Sequence, residues 1–129
     1  MTHFGVICPP FSGHLNPMAA LGRELQARGH RVTFLQIPER EQKVLSEGLN
    51  FYPIGLSTYQ LGELAETLAQ LGQLSGIEAL CYSVKFCQRI TAIICQDAPA
   101  AIEAAGIEAL LVDQMEPAGE AVAELLKQR

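Results

Sequence analysis

His3-Phe4-Gly5-Val6-Ile7-Cys8 is a short apolar run stopped by Pro9-Pro10, the pattern of a buried parallel strand that proline ends. Asn16-Pro17 follows, a favoured helix N-cap with proline at the first helical position. Met18, Leu21 and Leu25 then recur at i, i+3 and i+7, with Arg23, Glu24, Gln26 and Arg28 on the other face. Gly29 closes that helix as a left-handed residue past its end. Arg31-Val32-Thr33-Phe34-Leu35-Gln36 is a second strand rich in β formers. Strand, loop, helix, glycine, strand is a βαβ unit, with parallel strands and a right-handed crossover. The fold class expected is therefore α/β, a Rossmann-like doubly wound parallel sheet.

Downstream the pattern loosens. Residues 38–47 read as a polar surface helix ended at Gly48, and Phe51-Tyr52-Pro53-Ile54 as a short strand that proline marks as peripheral. Residues 61–73 are rich in Leu, Ala, Gln and Glu and read as helix. A further helix starts after the cap Ser75, with Asp97-Ala98-Pro99 as its expected point of interruption and Ala100 to Ala105 as its last piece before Gly106. Ile107-Glu108-Ala109-Leu110-Leu111-Val112-Asp113 is a third core strand ending in a carboxylate. An amphipathic helix from Pro117 to about Lys127 follows, with Ala118, Val122, Leu125 and Leu126 on one face. Four strands are fewer than the six of a full doubly wound sheet. The expectation is a single incomplete domain over residues 1–129, with an open sheet edge prone to pairing with itself.

Composition narrows the function. The 129 residues make one domain with room for a core. At 49% hydrophobic and 18% charged the chain is not a disordered one. A net charge of −5 argues against nucleic acid or an anionic membrane as partner. No apolar run reaches the roughly 18 residues of a transmembrane helix, and residues 3–8 are too short for a signal peptide, so a cytoplasmic location is expected. The cysteines Cys8, Cys81, Cys87 and Cys95 form no CxxC and read as reduced, mostly buried thiols, not as a metal site.

In open α/β sheets ligands bind beyond the carboxyl ends of the strands, at the switch point. His14, after the first strand, and Asp113, at the tip of the later one, stand at two such ends. A carboxylate beside an imidazole orients the ring and fixes its tautomer, which suits a general base. The plain alternatives are a loop histidine bonded to backbone and an aspartate that caps the turn before Pro117. Ser12 and Gly13 offer backbone N–H groups near a helix start, a setting for phosphate. Yet Pro9-Pro10-Phe11-Ser12-Gly13-His14 is neither a dinucleotide-binding glycine fingerprint nor a P-loop, and Gln36 and Ile37, not an acid, end the second strand. His3 and His30 read as structural or solvated. Gln114 and Glu116 either line the same crevice or lead into the last helix, and the Leu-rich 61–95 stretch is either core or the wall of an apolar pocket.

Three segments carry a resemblance: Phe11-Ser12-Gly13-His14-Leu15-Asn16-Pro17, Leu21-Gly22-Arg23-Glu24-Leu25 and Arg28-Gly29-His30-Arg31-Val32-Thr33-Phe34. They resemble the N-terminus of UDP-glycosyltransferases of the GT-B fold, nearest to the bacterial macrolide and zeaxanthin-type glucosyltransferases. Leu110-Leu111-Val112-Asp113 is similar to the strand bearing that family's second catalytic residue. The resemblance implies that His14 is the general base for an acceptor hydroxyl and that Asp113 pairs with it. It implies an inverting transfer from a nucleotide sugar such as UDP-glucose to a small, lipophilic hydroxyl acceptor, with no metal and no cofactor. Ser12 and Gly13 would lie near the donor phosphates, and residues 57–90 would shape the acceptor site. The family's C-terminal, nucleotide-sugar-binding domain has no counterpart in these residues. It is expected in the same polypeptide or a second chain, and residues 1–129 alone are expected to be inactive. Two other readings remain open at this point, a non-catalytic α/β binding or assembly module and a nucleotide-dependent oxidoreductase. The missing glycine fingerprint counts against the latter.

Overall fold

A computed structural model describes residues 1–127. Strands β1 (His3–Ile7), β2 (Arg31–Gln36), β3 (Asn50–Pro53) and β4 (Ala109–Val112) form one sheet in the order β3-β2-β1-β4. All pairings are parallel, with Val6 opposite Phe34 on one side and Leu111 on the other. The helices among the described residues are α1 (Ser12–Ala27), α2 (Glu41–Ser46), α3 (Glu63–Gly72), α4 (Gly76–Ala105) and α5 (Ala118–Lys127), with a 3-10 turn at Pro38–Arg40. The doubly wound α/β class expected from the βαβ pattern is present, and β3 lies at the edge as its proline implied.

Both faces of the sheet are covered, which is why its strands are apolar nearly throughout. Val6, Cys8, Val32 and Phe34 pack with Leu15, Ala19 and Val44 of α1 and α2. Ile7 and Leu35, pointing the opposite way, pack with Phe86, Ile90, Ile94 and Ala98 of α4 and with Ala118 and Val122 of α5. His3 is buried between the layers, its ring bonded to Thr33 Oγ1 at 2.6 Å and to the Gly106 carbonyl at 3.2 Å. His30 Nδ1 accepts the Thr2 amide. Both histidines are structural.

Several local expectations fail for identifiable reasons. The first helix begins at Ser12, not after Asn16. Pro9-Pro10 hold Phe11 extended (φ −79°, ψ 144°), and its carbonyl then accepts the amides of His14 at 3.0 Å and Leu15 at 2.9 Å. Asn16-Pro17 thus lies inside the helix, and His14 sits in its first turn, not in a loop. The buried face of α1 is Leu15, Ala19 and Gly22, while Leu21 is exposed. Gly22 lets the helix approach closely, since a Cβ there would meet Leu49 Cδ2 at 3.1 Å and Val32 Cγ1 at 3.2 Å.

The 38–47 helix is a 3-10 turn, Pro38–Arg40, leading into the short α2. α4 runs unbroken through Pro99. Asp97 starts no new helix, because its Oδ2 accepts the Gly55 amide at 2.7 Å, and the buried face around Ala98, Ala101 and Ile102 outweighs the hydrogen bond that proline deletes. Ser75 stands at the N-cap of α4 without a side-chain cap bond. Of the thiols only Cys8 is buried. Cys81, Cys87 and Cys95 occupy outward positions of α4, so the mostly buried expectation does not hold.

Candidate active site

The register of β1 against the edge strand β4 builds the site. Ile7 pairs with Val112, and the Asp113 amide extends the ladder to the Ile7 carbonyl at 2.9 Å. Asp113 therefore emerges beside the end of β1, where the chain turns through Pro9-Pro10 into α1. The strands flanking the switch point are neighbours, as the fold rule requires. Across this junction His14 Nδ1 lies 2.9 Å from Asp113 Oδ2. The other carboxylate oxygen accepts the Met115 amide at 2.8 Å, so the carboxylate cannot turn away without losing that bond.

A carboxylate accepts and does not donate, so in the neutral ring this contact places the proton on Nδ1 and leaves the lone pair on Nε2. The two side chains are 35% and 13% exposed, which leaves the ring reachable and its partner sheltered. Ser12 and Gly13 are exposed at the start of α1. Their amides belong to the first turn, which has no intrahelical acceptors and carries the helix's positive end. A Cβ at Gly13 would meet nothing within 4 Å, so the approach is open.

A cleft of about 480 Å³ lies between the β1–α1 loop, the middle of α4 and the β4–α5 turn; residues near the pair in sequence line it, but His14 and Asp113 themselves do not. Its walls include Pro10, Phe11, Phe86, Ile90 and Met115, and the rings of Phe11 and Phe86 lie 5.5 Å apart. From the 57–90 region only residues of α4 from Ser83 onward line this cleft, and α3 does not. Glu116 reaches the cleft and Gln114 does not. Glu116 is only 3% exposed, and its Oε2 accepts the Thr91 hydroxyl at 2.9 Å and the Ala118 amide at 3.2 Å.

The match to known proteins falls on these same elements. Residues 12–112 match the glycosyltransferase family 28 N-terminal domain. The chain belongs to this family. Over 126 residues it is 36% identical to the zeaxanthin glucosyltransferase of Pantoea ananas, and over 131 residues 35% identical to that of Pseudescherichia vulneris. Each alignment takes in 98% of this chain and 29% of the relative, so the chain spans less than a third of the curated relatives it matches. Among solved structures, a glycosyltransferase of Streptomyces sp. SF2575 superposes with a TM-score of 0.73 at 22% identity, covering 98% of this chain and 37% of that one. The calicheamicin glycosyltransferase gives 0.67 at 21% identity, covering 98% and 30%. At such identities the likeness is one of fold, the N-terminal part of a GT-B Rossmann-like domain. The glycosyltransferase membership implied by the sequence motifs is borne out.

Family 28 membership leaves other residues around the site to explain. Pro9 and Pro10 bring no amide donors, so the carbonyls at the end of β1 need partners from elsewhere. Gln36 supplies one. Its Nε2 donates to the Cys8 carbonyl at 2.8 Å while its Oε1 accepts the Ile37 amide at 2.9 Å, all buried. Arg40 Nε donates to the Pro10 carbonyl at 2.6 Å. The sequence shows Gln36 at the end of β2 but not the bond it makes, and Arg40 carried no reading, although a double proline at a strand end is itself a signal that side-chain donors are needed. Thr91 was also missed. The Cys8 thiol is pushed up to about 12 by burial above all, then by the Asp113 and Glu116 carboxylates, against a lowering contact from Gln36. It is a neutral packing group beneath the site, not a nucleophile. No helix among the described residues is long and apolar enough to cross a membrane.

Proposed function

We propose that this chain is the acceptor-binding, base-bearing part of an inverting glycosyltransferase that moves a sugar from a nucleotide sugar, such as UDP-glucose, to a hydroxyl of a small lipophilic acceptor. The observation carrying this reading is the 2.9 Å contact between His14 Nδ1 and Asp113 Oδ2 at the switch point, with an apolar cleft lined by their neighbours in sequence. The acceptor's apolar body lies in the cleft with its hydroxyl at His14 Nε2. That nitrogen takes the hydroxyl proton as the oxygen attacks the anomeric carbon. The bond from that carbon to the diphosphate oxygen breaks, and the nucleoside diphosphate leaves with the electron pair. One displacement inverts the anomeric configuration, and no carboxylate nucleophile takes part. Asp113 stabilises the imidazolium that forms. Ser12 and Gly13 offer their first-turn amides to the donor phosphates.

The donor's nucleotide is held by a second domain, in the same polypeptide or in another chain, so residues 1–129 alone transfer no sugar. The names of the relatives support a lipophilic alcohol as acceptor, as does the apolar cleft. The test is a His14→Ala exchange in a transferase containing this chain and a donor-binding half. Transfer is expected to fall by about 10²–10⁴-fold, the range for a lost general base. Unchanged turnover, or sugar transfer by the 129 residues alone, contradicts the corresponding part of the reading.

A further inference from the structure

We propose that Glu116 selects the acceptor, its free oxygen accepting a hydrogen bond from a second hydroxyl on the acceptor, distinct from the one that reacts. The assignment rests on the reading of the cleft as the acceptor site. Glu116 lines that cleft and is 3% exposed. Its Oε2 is engaged twice, by the Thr91 hydroxyl and the Ala118 amide, but Oε1 bonds to nothing among the described residues. Tyr59 Oη is the one side-chain polar atom there that is both sealed from solvent and without a partner. Oε1 is therefore open to the cleft.

A capping role at the start of α5 accounts for Oε2 and leaves Oε1 unexplained. The proline, phenylalanine and isoleucine side chains of the cleft have no proton to give Oε1. Ser83, Cys87 and Gln88 also line the cleft, but none of them bonds to Glu116. No cleft side chain satisfies Oε1, and a ligand hydroxyl can take the place of solvent there. An ether oxygen at the same place would meet the carboxyl oxygen lone pair to lone pair, so the group discriminates by chemistry as well as by size.

The matched probes are 1,8-octanediol and 8-methoxy-1-octanol, which share a flexible apolar body and differ in one O–H. Titrating each into the chain, with amide shifts followed by NMR, is expected to perturb Phe86 and Ile90 and to show the diol binding about tenfold more tightly, as befits a hydrogen bond to a charged group. In Glu116→Gln the amide oxygen stays on the Ala118 amide, so the NH₂ faces the cleft. It donates equally well to hydroxyl or ether, and the affinity ratio is expected to fall to about one. Should E116Q fail to fold, E116D draws the oxygen back by one methylene and lowers the ratio in the same direction. Equal affinities in the unsubstituted chain, or a preference that survives substitution, overturn the role of Glu116 alone. If neither probe shifts the cleft residues, the acceptor-site reading of the cleft fails with it.

Discussion

Asparagine at position 113 is nearly isosteric with aspartate, yet the proposed role of Asp113 predicts a severe loss of turnover. Asp113 Oδ1 is fixed by the Met115 amide at 2.8 Å. In Asp113→Asn only the amide oxygen can take that place, since a donor there would face another donor. The NH₂ is thereby directed at His14 Nδ1, where Oδ2 stood at 2.9 Å. Nδ1 must then accept, the ring proton moves to Nε2, and the nitrogen facing the acceptor hydroxyl can no longer take a proton. The equivalent wrong-tautomer exchange in a Ser-His-Asp triad costs about 10⁴ in kcat, some 5.4 kcal/mol. We therefore expect about 10³–10⁴-fold lower kcat for D113N, with KM for the acceptor within about twofold because the apolar cleft is untouched. Asp113→Ala removes the orienting group but forces no tautomer, so it should cost less, about 10²-fold. The assay is steady-state release of nucleoside diphosphate by a transferase containing this chain, with melting curves to confirm folding. D113N turning over at more than a tenth of the wild-type rate, or faster than D113A, would refute the assignment of Asp113 as the residue that sets the tautomer.

Three further expectations concern what holds the site in place. Gly119→Ala sets a Cβ onto Val112, overlapping Cγ1 and lying 2.7 Å from Cγ2. It should destabilise by about 1–3 kcal/mol, read as a lower urea midpoint, and an unchanged midpoint contradicts the packing argument. Gln36→Leu strands the Cys8 carbonyl and the Ile37 amide, both buried, at about 1–3 kcal/mol for each. Equilibrium unfolding of the variant checks that sum, and a loss under 1 kcal/mol rejects it. The fold holds Cys8 as a neutral thiol, its pKa raised from an ordinary value of 9.0 to about 12. Stability is therefore intact below pH 9 and is lost as pH climbs toward 12. At about pH 10.5 the loss is on the order of 2 kcal/mol. Cys8→Ala should lack this part of the alkaline decline when urea midpoints at about pH 7.5 and pH 10.5 are compared, and parallel declines would exclude it.

The sequence was most legible where a pattern repeats locally. β1 and β2 show as apolar runs with clear punctuation, and the pairing of His14 with Asp113 follows from two strand ends meeting at a switch point. Local signals misled where a longer-range contact opposed them. Asn16-Pro17 is a good helix start on propensity alone, but the double proline before Phe11 had already placed a carbonyl where two amides could reach it. Asp97-Pro99 reads as a break, yet Asp97 is occupied by Gly55 and Pro99 lies in a buried stretch of α4. The contacts of Gln36, Arg40 and Thr91 were invisible because each reaches an atom 25 to 30 residues away in the chain. No periodicity or spacing encodes such a contact.

The bonds that anchor the site share one consequence. The Cys8 carbonyl is held by Gln36, the Pro10 carbonyl by Arg40 and the Asp113 carboxylate by the Met115 amide. Each fixes a point where the chain leaves a strand for the site, and each does so from a rigid element or an immediate turn. His14 and Asp113, the proposed base and its partner, are thus set by anchors that need no ligand. A proton acceptor that is positioned before substrate arrives avoids reorganisation during the reaction. The same anchors leave the α1 N-terminus and the mouth of the cleft open. The fixed part of the site is the part that must be precise to tenths of an ångström, the His14–Asp113 pair. On the proposed function, the open part is where substrates of different shape enter, so acceptor choice could change through the cleft wall while His14 stays where it is.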